Sequence, residues 1–433
     1  MRIVLKNFRL VDEETDMNGA LIIDDGVISA ALPSAEKAED AALVIDGSRL
    51  SPNGLAVLMP AFVDLHAHFR DPGFPEKETL ESASLAAAAG GFGTVVCMAN
   101  TKPVIDTIEK VRRLKNRSDV LGLIDLYPVM SLSAGMEGRE LSDISRLAAG
   151  EGLLMLSEDG KDVADDALFF AAMNEAKRLG VPISCHCDFG GDENNAVRRA
   201  IELGMKAGCH IHIAHVSTGE AVETIRQAKA AAKAPASRMG SGGFTLTCEA
   251  MPHNLCLTEE DAAKLGDESW GRVNPPLRSH EDRMALKRAA ADGTVDAVAT
   301  DHAPHSAQDK EKGAPGFSGF ETAFAAVYTE LVRGVPGSAA AAGTISLKRL
   351  SSLMSARPAR LLGLGDGALS DARKRGRLLP GYRADLVIAD TESSWIADPA
   401  AFKTRGKNSP FAGKELFGTI LMTMKEGRFT FMR

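Results

Sequence analysis

The chain has 433 residues, a formal net charge of −8, 45% hydrophobic and 25% charged residues. At roughly 150 residues per domain this means two or three domains, or one large barrel with an appendage, long enough to bury its core without disulfides. The ordinary composition excludes a disordered chain, and an acidic balance without a basic block speaks against nucleic-acid binding.

The first residues, MRIVLKNFRLVDEETD, carry a charge every few positions and lack the apolar core of a signal peptide. Up to residue 55 short strands and turns are expected, with Asp25-Gly26 as a hairpin turn. Ser84 to Asn100 is weakly polar but broken by Gly90, Gly91 and Gly93, too short to cross a bilayer. The six cysteines read as reduced thiols. A soluble, cytoplasmic protein is expected.

From about residue 56 the pattern changes. Eight apolar runs follow one another: AFVDLHAHF, TVVCMAN, LIDLYPVMSL, LLMLSEDG, VPISCHCD, IHIAHVST, FTLTCEAMPH and VDAVATDHAPH. Between them lie helical stretches such as DTIEKVRRLKN and DALFFAAMNEAKRLG, several closed by glycine. Eight strand–helix repeats predict a (β/α)8 barrel. A doubly wound open sheet is the alternative, but no Gly-rich dinucleotide fingerprint follows a strand. Segment 236–243 reads as a flexible insertion. From about 357 strand-like segments return, and they are expected to pair with the N-terminal strands. The division is then residues 1–55 and 357–433 in a small β-sandwich, and 56–356 in the barrel.

The chemistry-bearing residues stand at the strand ends. Strand one ends in His66-Ala-His68, and a period of two turns both imidazoles the same way. Strand four ends in Glu158-Asp159, five in His186, six in His215 and eight in Asp301. Barrel active sites lie at that end, so these groups gather around one mouth. Imidazole with carboxylate suits zinc or a related divalent ion, and four histidines with two aspartates suffice for two ions sharing a ligand. Such a pair would acidify a water and hold the group it attacks. Counting back from His215 by twos passes neither His212 nor His210, so both are expected to face the helices or the surface. Cys185 and Cys187 read as core residues, and His280 and Lys161 as solvated.

The motifs FRDPG, CMANTKP, SEDG, HCD, HVSTGEAV, CEAMPHNLC, RVNPPLRS, ATDHAPH, PGYRADLVIAD and NSPFAGK occur in the order seen in dihydroorotases. The chain resembles the bacterial type I branch of these cyclic amidohydrolases from about residue 55 onward. The resemblance implies reversible cyclisation of N-carbamoyl-aspartate to dihydroorotate, a step of pyrimidine biosynthesis. It implies one metal on His66, His68 and Asp301 and a second on His186 and His215. Asp159 would bridge them where many relatives use a carboxylated lysine. The 27-residue spacing to His186, which matches relatives with an aspartate at this place, implies Asp159 rather than Glu158. Asp301 would carry the proton between attacking water and ring nitrogen, and Arg70 would pair with the substrate carboxylate. Asn100, Asn274 and His305 would hydrogen-bond the ligand. Ser306 to Gly319 would form a mobile loop whose backbone near Gly316 and Phe317 touches it.

Simpler roles exist for three of these: Arg70 as a partner of Asp71, Asn100 as a helix cap, Asn274 as a turn residue. The sequence departs from the family pattern in a short stretch between His186 and His215, and in PHN at 252–254 where PHH is usual. Asp159 is shorter than a carboxylated lysine, leaving one zinc or two. Alternatives are another cyclic amidohydrolase, a hydantoinase or allantoinase, and a silent scaffold for aspartate transcarbamoylase. A homo-oligomer and a transcarbamoylase partner are expected associations.

Overall fold

The computed structural model describes residues 1–33, 41–52, 54–188, 191–232, 243–334, 343–366, 368 and 374–433. The expected insertion at 236–243 lies, but for its last residue, outside them.

Each of the eight apolar runs contains a strand: β6 (Phe62–Ala67), β7 (Phe92–Cys97), β8 (Asp125–Pro128), β9 (Leu156–Ser157), β10 (Ile183–Cys185), β11 (His210–Ile213), β12 (Thr245–Ala250) and β13 (Ala297–Val298). They pair in parallel as β6-β7-β8 and β13-β12-β11-β10-β9. Isolated bridges Met130↔Leu156 and Ala67↔His302 join the two arcs, so the ring closes as a (β/α)8 barrel. The helices between strands start where the sequence supplies a cap. Thr107 caps Ile108–Leu121, Asp165 caps Asp166–Leu179 and Asp192 caps Glu193–Ala207, each helix ending on a left-handed glycine.

Both chain ends build one further sheet. β1 (Arg2–Val11), β2 (Asp16–Asp24), β3 (Val27–Leu32), β4 (Leu43–Asp46), β5 (Val57–Pro60), β14 (Leu386–Ile396), β15 (Glu415–Lys425) and β16 (Arg428–Met432) form it, in the order β16-β15-β14-β5-β1-β2-β3 with β4 beside β1. A second apolar cluster, including Leu5, Phe8, Leu21, Leu58, Leu386, Ile388 and Met424, takes side chains from both ends, so the sheet wraps its own core. Asp25 and Gly26, at φ 48° and 83°, form the expected two-residue turn between β2 and β3. Among the described residues, the last helix before β14 is Arg357–Leu361.

Sheet and barrel are clamped by buried ions. Asp125, first residue of β8, faces Arg375 at 2.7 Å, Arg383 at 3.0 Å and Lys425 at 2.8 Å. Burial alone would raise the Asp125 carboxyl, but these three cations hold it well below the usual carboxylate range. No described helix is long and apolar enough to cross a membrane.

Candidate metal centre and active site

The short barrel strands release the chain early, and the polar residues stand just beyond their last apolar residue. His66 is still in β6, whereas His68, Asp159, His186, His215 and Asp301 lie in the loops that follow. Among the described residues seven non-glycine residues have positive φ, and three of them, Arg70 (56°), His215 (33°) and Asp301 (44°), are here. Strained backbone held at one spot by its surroundings marks a site built for geometry rather than stability.

The six proposed ligands converge. Asp159 Oδ1 lies 3.2 Å from His66 Nε2, 3.3 Å from His186 Nδ1 and 3.5 Å from His215 Nε2. Its Oδ2 is 3.4 Å from His68 Nε2, which is also 3.1 Å from Asp301 Oδ1. His66, His68 and Asp159 make one compact set and Asp159, His186 and His215 another, with donor atoms within 4.8 Å of one another in each. Asp159 belongs to both, as a bridging ligand would.

The donor atoms fit a cation. His66 Nδ1 is 2.8 Å from Glu249 Oε1, and His68 Nδ1 is 2.9 Å from Asn100 Oδ1. Both oxygens can only accept, so each Nδ1 carries the proton and each Nε2 lone pair is turned toward the aspartates. His66 Nε2 and Asp159 Oδ1 are buried and, despite their 3.2 Å approach, make no hydrogen bond. Lone pair facing lone pair in a dry site calls for positive charge between them, either a second proton on the ring or a metal ion. Burial disfavours the charged His66 ring, yet Asp159 and Glu249 raise its proton affinity well above the ordinary value. Burial works against the Asp301 carboxylate too, and the neighbouring rings of His68, His66 and His215 hold its pKa well below the usual range. His186 and His215, 2.8 Å apart through Nδ1 and Nε2, face the same oxygen. This imidazole–carboxylate set suits zinc-like chemistry.

A cavity of about 220 Å³ opens over these ligands, lined also by Arg70, Asn100, Gly160, Asn274, His305, Pro315 and Gly316. Arg70 does not pair with Asp71, which binds Arg117 at 2.6 Å. Its Nε donates to the Pro304 carbonyl, and its Nη2 is 3.2 Å from His305 Nε2. Burial lowers the Arg70 guanidinium to about 10, leaving it charged at neutral pH. Burial and the Arg70 charge push His305 down to about 3, so that ring is neutral. Asn100 does not cap the following helix, since Thr107 does. Asn274 donates to Asp188 Oδ2 at 2.8 Å.

Several expectations meet a different structure. Phe317 does not line the cavity: its ring is buried against His253 at 5.4 Å, and its carbonyl accepts from Ala303 N. The loop Ser306 to Gly319 is tied down at several points. Fully buried Lys310 donates to the carbonyls of Arg272 (2.8 Å), Ala314 (2.8 Å) and Gly316 (3.1 Å), and Asn408 holds Gly316 as well. His212 faces neither helix nor solvent. It is wholly buried, with Nε2 3.1 Å from Glu249 Oε2. β11 ends at Ile213 and His215 has φ 33°, so alternation does not run through to His215. Sequence reasoning missed Glu249 altogether, although a lone acid inside the apolar run FTLTCEAM was the available signal. Cys185 and Cys187 are buried and His280 is exposed, as expected.

The chain belongs to the amidohydrolase family, whose pattern matches residues 57–430. Among curated relatives it is 36% identical over 441 residues to the dihydroorotase of Clostridium botulinum, with both chains covered in full. It is 36% identical over 460 residues to the dihydroorotase of Geobacillus kaustophilus, covering 99% of this chain and 98% of that one. Among solved structures, the L-hydantoinase (dihydropyrimidinase) of Arthrobacter aurescens superposes with a TM-score of 0.81 at 26% identity, covering 99% of this chain and 95% of that chain.

Proposed function

We propose that this amidohydrolase is a dihydroorotase, a cyclic amide hydrolase that reversibly cyclises N-carbamoyl-L-aspartate to dihydroorotate. The observation that carries the choice within the family is Arg70, which lines the same cavity as His68, Asp159, His186, His215 and Asp301. A half-buried, charged fork beside a metal centre suits a substrate bearing a free carboxylate, and hydantoin and allantoin have none.

His66, His68 and Asp301 would hold one zinc, His186 and His215 the second, and Asp159 would bridge them. Bound zinc supplies Lewis-acid polarisation of the reacting carbonyl and lowers the pKa of water. The protein's own residues do the rest. Asp301, ionised at neutral pH, accepts the proton released by the attacking water and returns it to the departing ring nitrogen; cyclisation runs the same transfers backward. Arg70 clamps the substrate carboxylate with Asn100, and the neutral His305 is left to accept from an N–H of the ligand. His305 Nε2 approaches both Arg70 Nη2 and, at 2.9 Å, the Pro315 carbonyl, and one nitrogen cannot accept from the first while donating to the second. A carboxylate that draws Arg70 away frees His305 to donate to Pro315. Asn274, held by Asp188, and the backbone at Gly316 complete the wall.

The same reading places the protein in the cytoplasm as a homo-oligomer, with aspartate transcarbamoylase as a possible associate. It also divides the chain into a barrel over 56–356 and an end-built β-unit over 1–55 and 357–433. All six proposed ligands are present, which argues against a silent scaffold. The test is turnover of dihydroorotate against hydantoin and allantoin by the zinc-loaded protein. Dihydroorotate is expected to be hydrolysed with kcat/KM at least a hundredfold higher, on the order of what a missing charged contact costs. Equal or better turnover of hydantoin would overturn the assignment.

A further inference from the structure

Glu249 sits on β12 beneath the rim and is fully buried. Its Oε1 accepts from His66 Nδ1 at 2.8 Å and lies 3.4 Å from the backbone nitrogen of His215. Its Oε2 is 3.1 Å from His212 Nε2, and His212 Nδ1 is in turn 2.9 Å from Thr247 Oγ1. One carboxylate therefore touches a proposed ligand of each metal site. It reaches the first through the ring and the second through the main chain.

From this we infer that Glu249 is a positioning residue that couples the two metal sites, with His212 packed against its second oxygen. The inference rests on the metal reading of the rim. A carboxylate oxygen can only accept, so it puts the His66 proton on Nδ1 and leaves the Nε2 lone pair for the metal. The same oxygen reaches the His215 peptide, whose φ of 33° is disfavoured for a histidine and needs an external anchor. His212 stands against the carboxylate: its Nε2 lies 3.1 Å from Oε2 without a hydrogen bond and leaves it no room to turn, so Oε1 stays between His66 and His215. Glu249 touches no part of the cavity, so it acts only through the ligands.

The experiment strips the full-length protein of metal with a chelator and titrates it with Zn2+ against a chromophoric competitor, measuring the melting temperature of the metal-free form in parallel. Wild type is expected to bind two equivalents. Glu249→Leu is expected to weaken both sites by about a hundredfold and Glu249→Gln, which keeps shape but not charge, by about tenfold, the range seen for partners of metal-binding histidines. A merely structural role would lower the metal-free melting temperature and leave the affinity of folded protein unchanged. Should Glu249→Leu not fold, Glu249→Gln decides. Wild-type affinity at both sites in the folded variants, or weakening at one site alone, overturns the coupling while leaving the metal centre standing. Failure of the wild type itself to bind Zn2+ would bring down the metal reading and the coupling with it.

Discussion

Two buried charge clusters lie at opposite ends of the barrel strands, and they are built on opposite rules. At the start of β8, Asp125 is surrounded by Arg375, Arg383 and Lys425, so the carboxylate is met by cations the chain itself supplies. At the rim, Asp159 and Asp301 are met by imidazoles whose outer nitrogens are fixed as donors to Glu249 and Asn100, leaving lone pairs inward. The first cluster is closed and holds the terminal sheet to the barrel. The second is short of positive charge and strained in its backbone. Burial of charge alone therefore does not mark function here; an uncompensated set of acceptors aimed at one point does.

Exchanging residues between these roles sharpens the contrast. Asp301→Asn should leave the melting temperature near that of wild type and lower kcat on dihydroorotate by about 10³-fold, the order of a lost general base. Near-normal turnover would remove Asp301 from proton transfer. Asp125→Asn should do the reverse. It takes one of two carboxylates from Arg375 and Arg383, leaving them Asp385 at 3.8 and 3.2 Å, and should cost about 3 kcal/mol in denaturant unfolding while leaving the kcat of folded protein unchanged. The pH dependence follows from the sign of the shift. Because the folded carboxyl titrates well below its unfolded value, its stabilisation is present above the unfolded pKa and is lost as pH falls toward the folded one. The variant should thus lose less stability than wild type on acidification, and equal acid sensitivity would show the cluster is not the cause.

Arg70→Met should raise KM for dihydroorotate by roughly 30-fold, about 2 kcal/mol, with a smaller change in kcat. An unchanged KM would take Arg70 out of the carboxylate clamp. The smallest effect is expected at Gly316, at φ 136°, where an added Cβ would stand 2.7 Å from the Ala303 Cβ. Gly316→Ala should cost about 1 kcal/mol in stability and raise KM modestly. A variant as stable as wild type, with unchanged KM, would show that this wall can give.

Much of this was legible in the sequence because chemistry stood out against an apolar background. Imidazole and carboxylate at the ends of otherwise apolar runs mark a barrel mouth, and all six proposed ligand residues were readable that way. Strand parity carried His66 and His68 to one side because β6 runs on to Ala67 between them, although its register with β7 shifts between Asp64 and Ala67. The same parity failed for His212, since β11 ends before His215 and the left-handed turn there breaks the alternation. Glu249 escaped because a lone acid in an apolar strand does not say which histidines, here His66 and His212, it will meet across the barrel. The strands of the terminal sheet were visible as segments, but the insertion of β5 between β1 and β14 is a tertiary fact. The pinning of the 306–319 loop depends on Lys310 finding three carbonyls, which sequence spacing does not show.

The central claim is that the rim holds a pair of metal ions. Anomalous diffraction at the zinc edge, on crystals grown with the ion, addresses it directly. Two peaks are expected, one among His66, His68, Asp159 and Asp301 and one among Asp159, His186 and His215. A fully occupied crystal with no peak there, or with zinc bound only elsewhere on the chain, would contradict it.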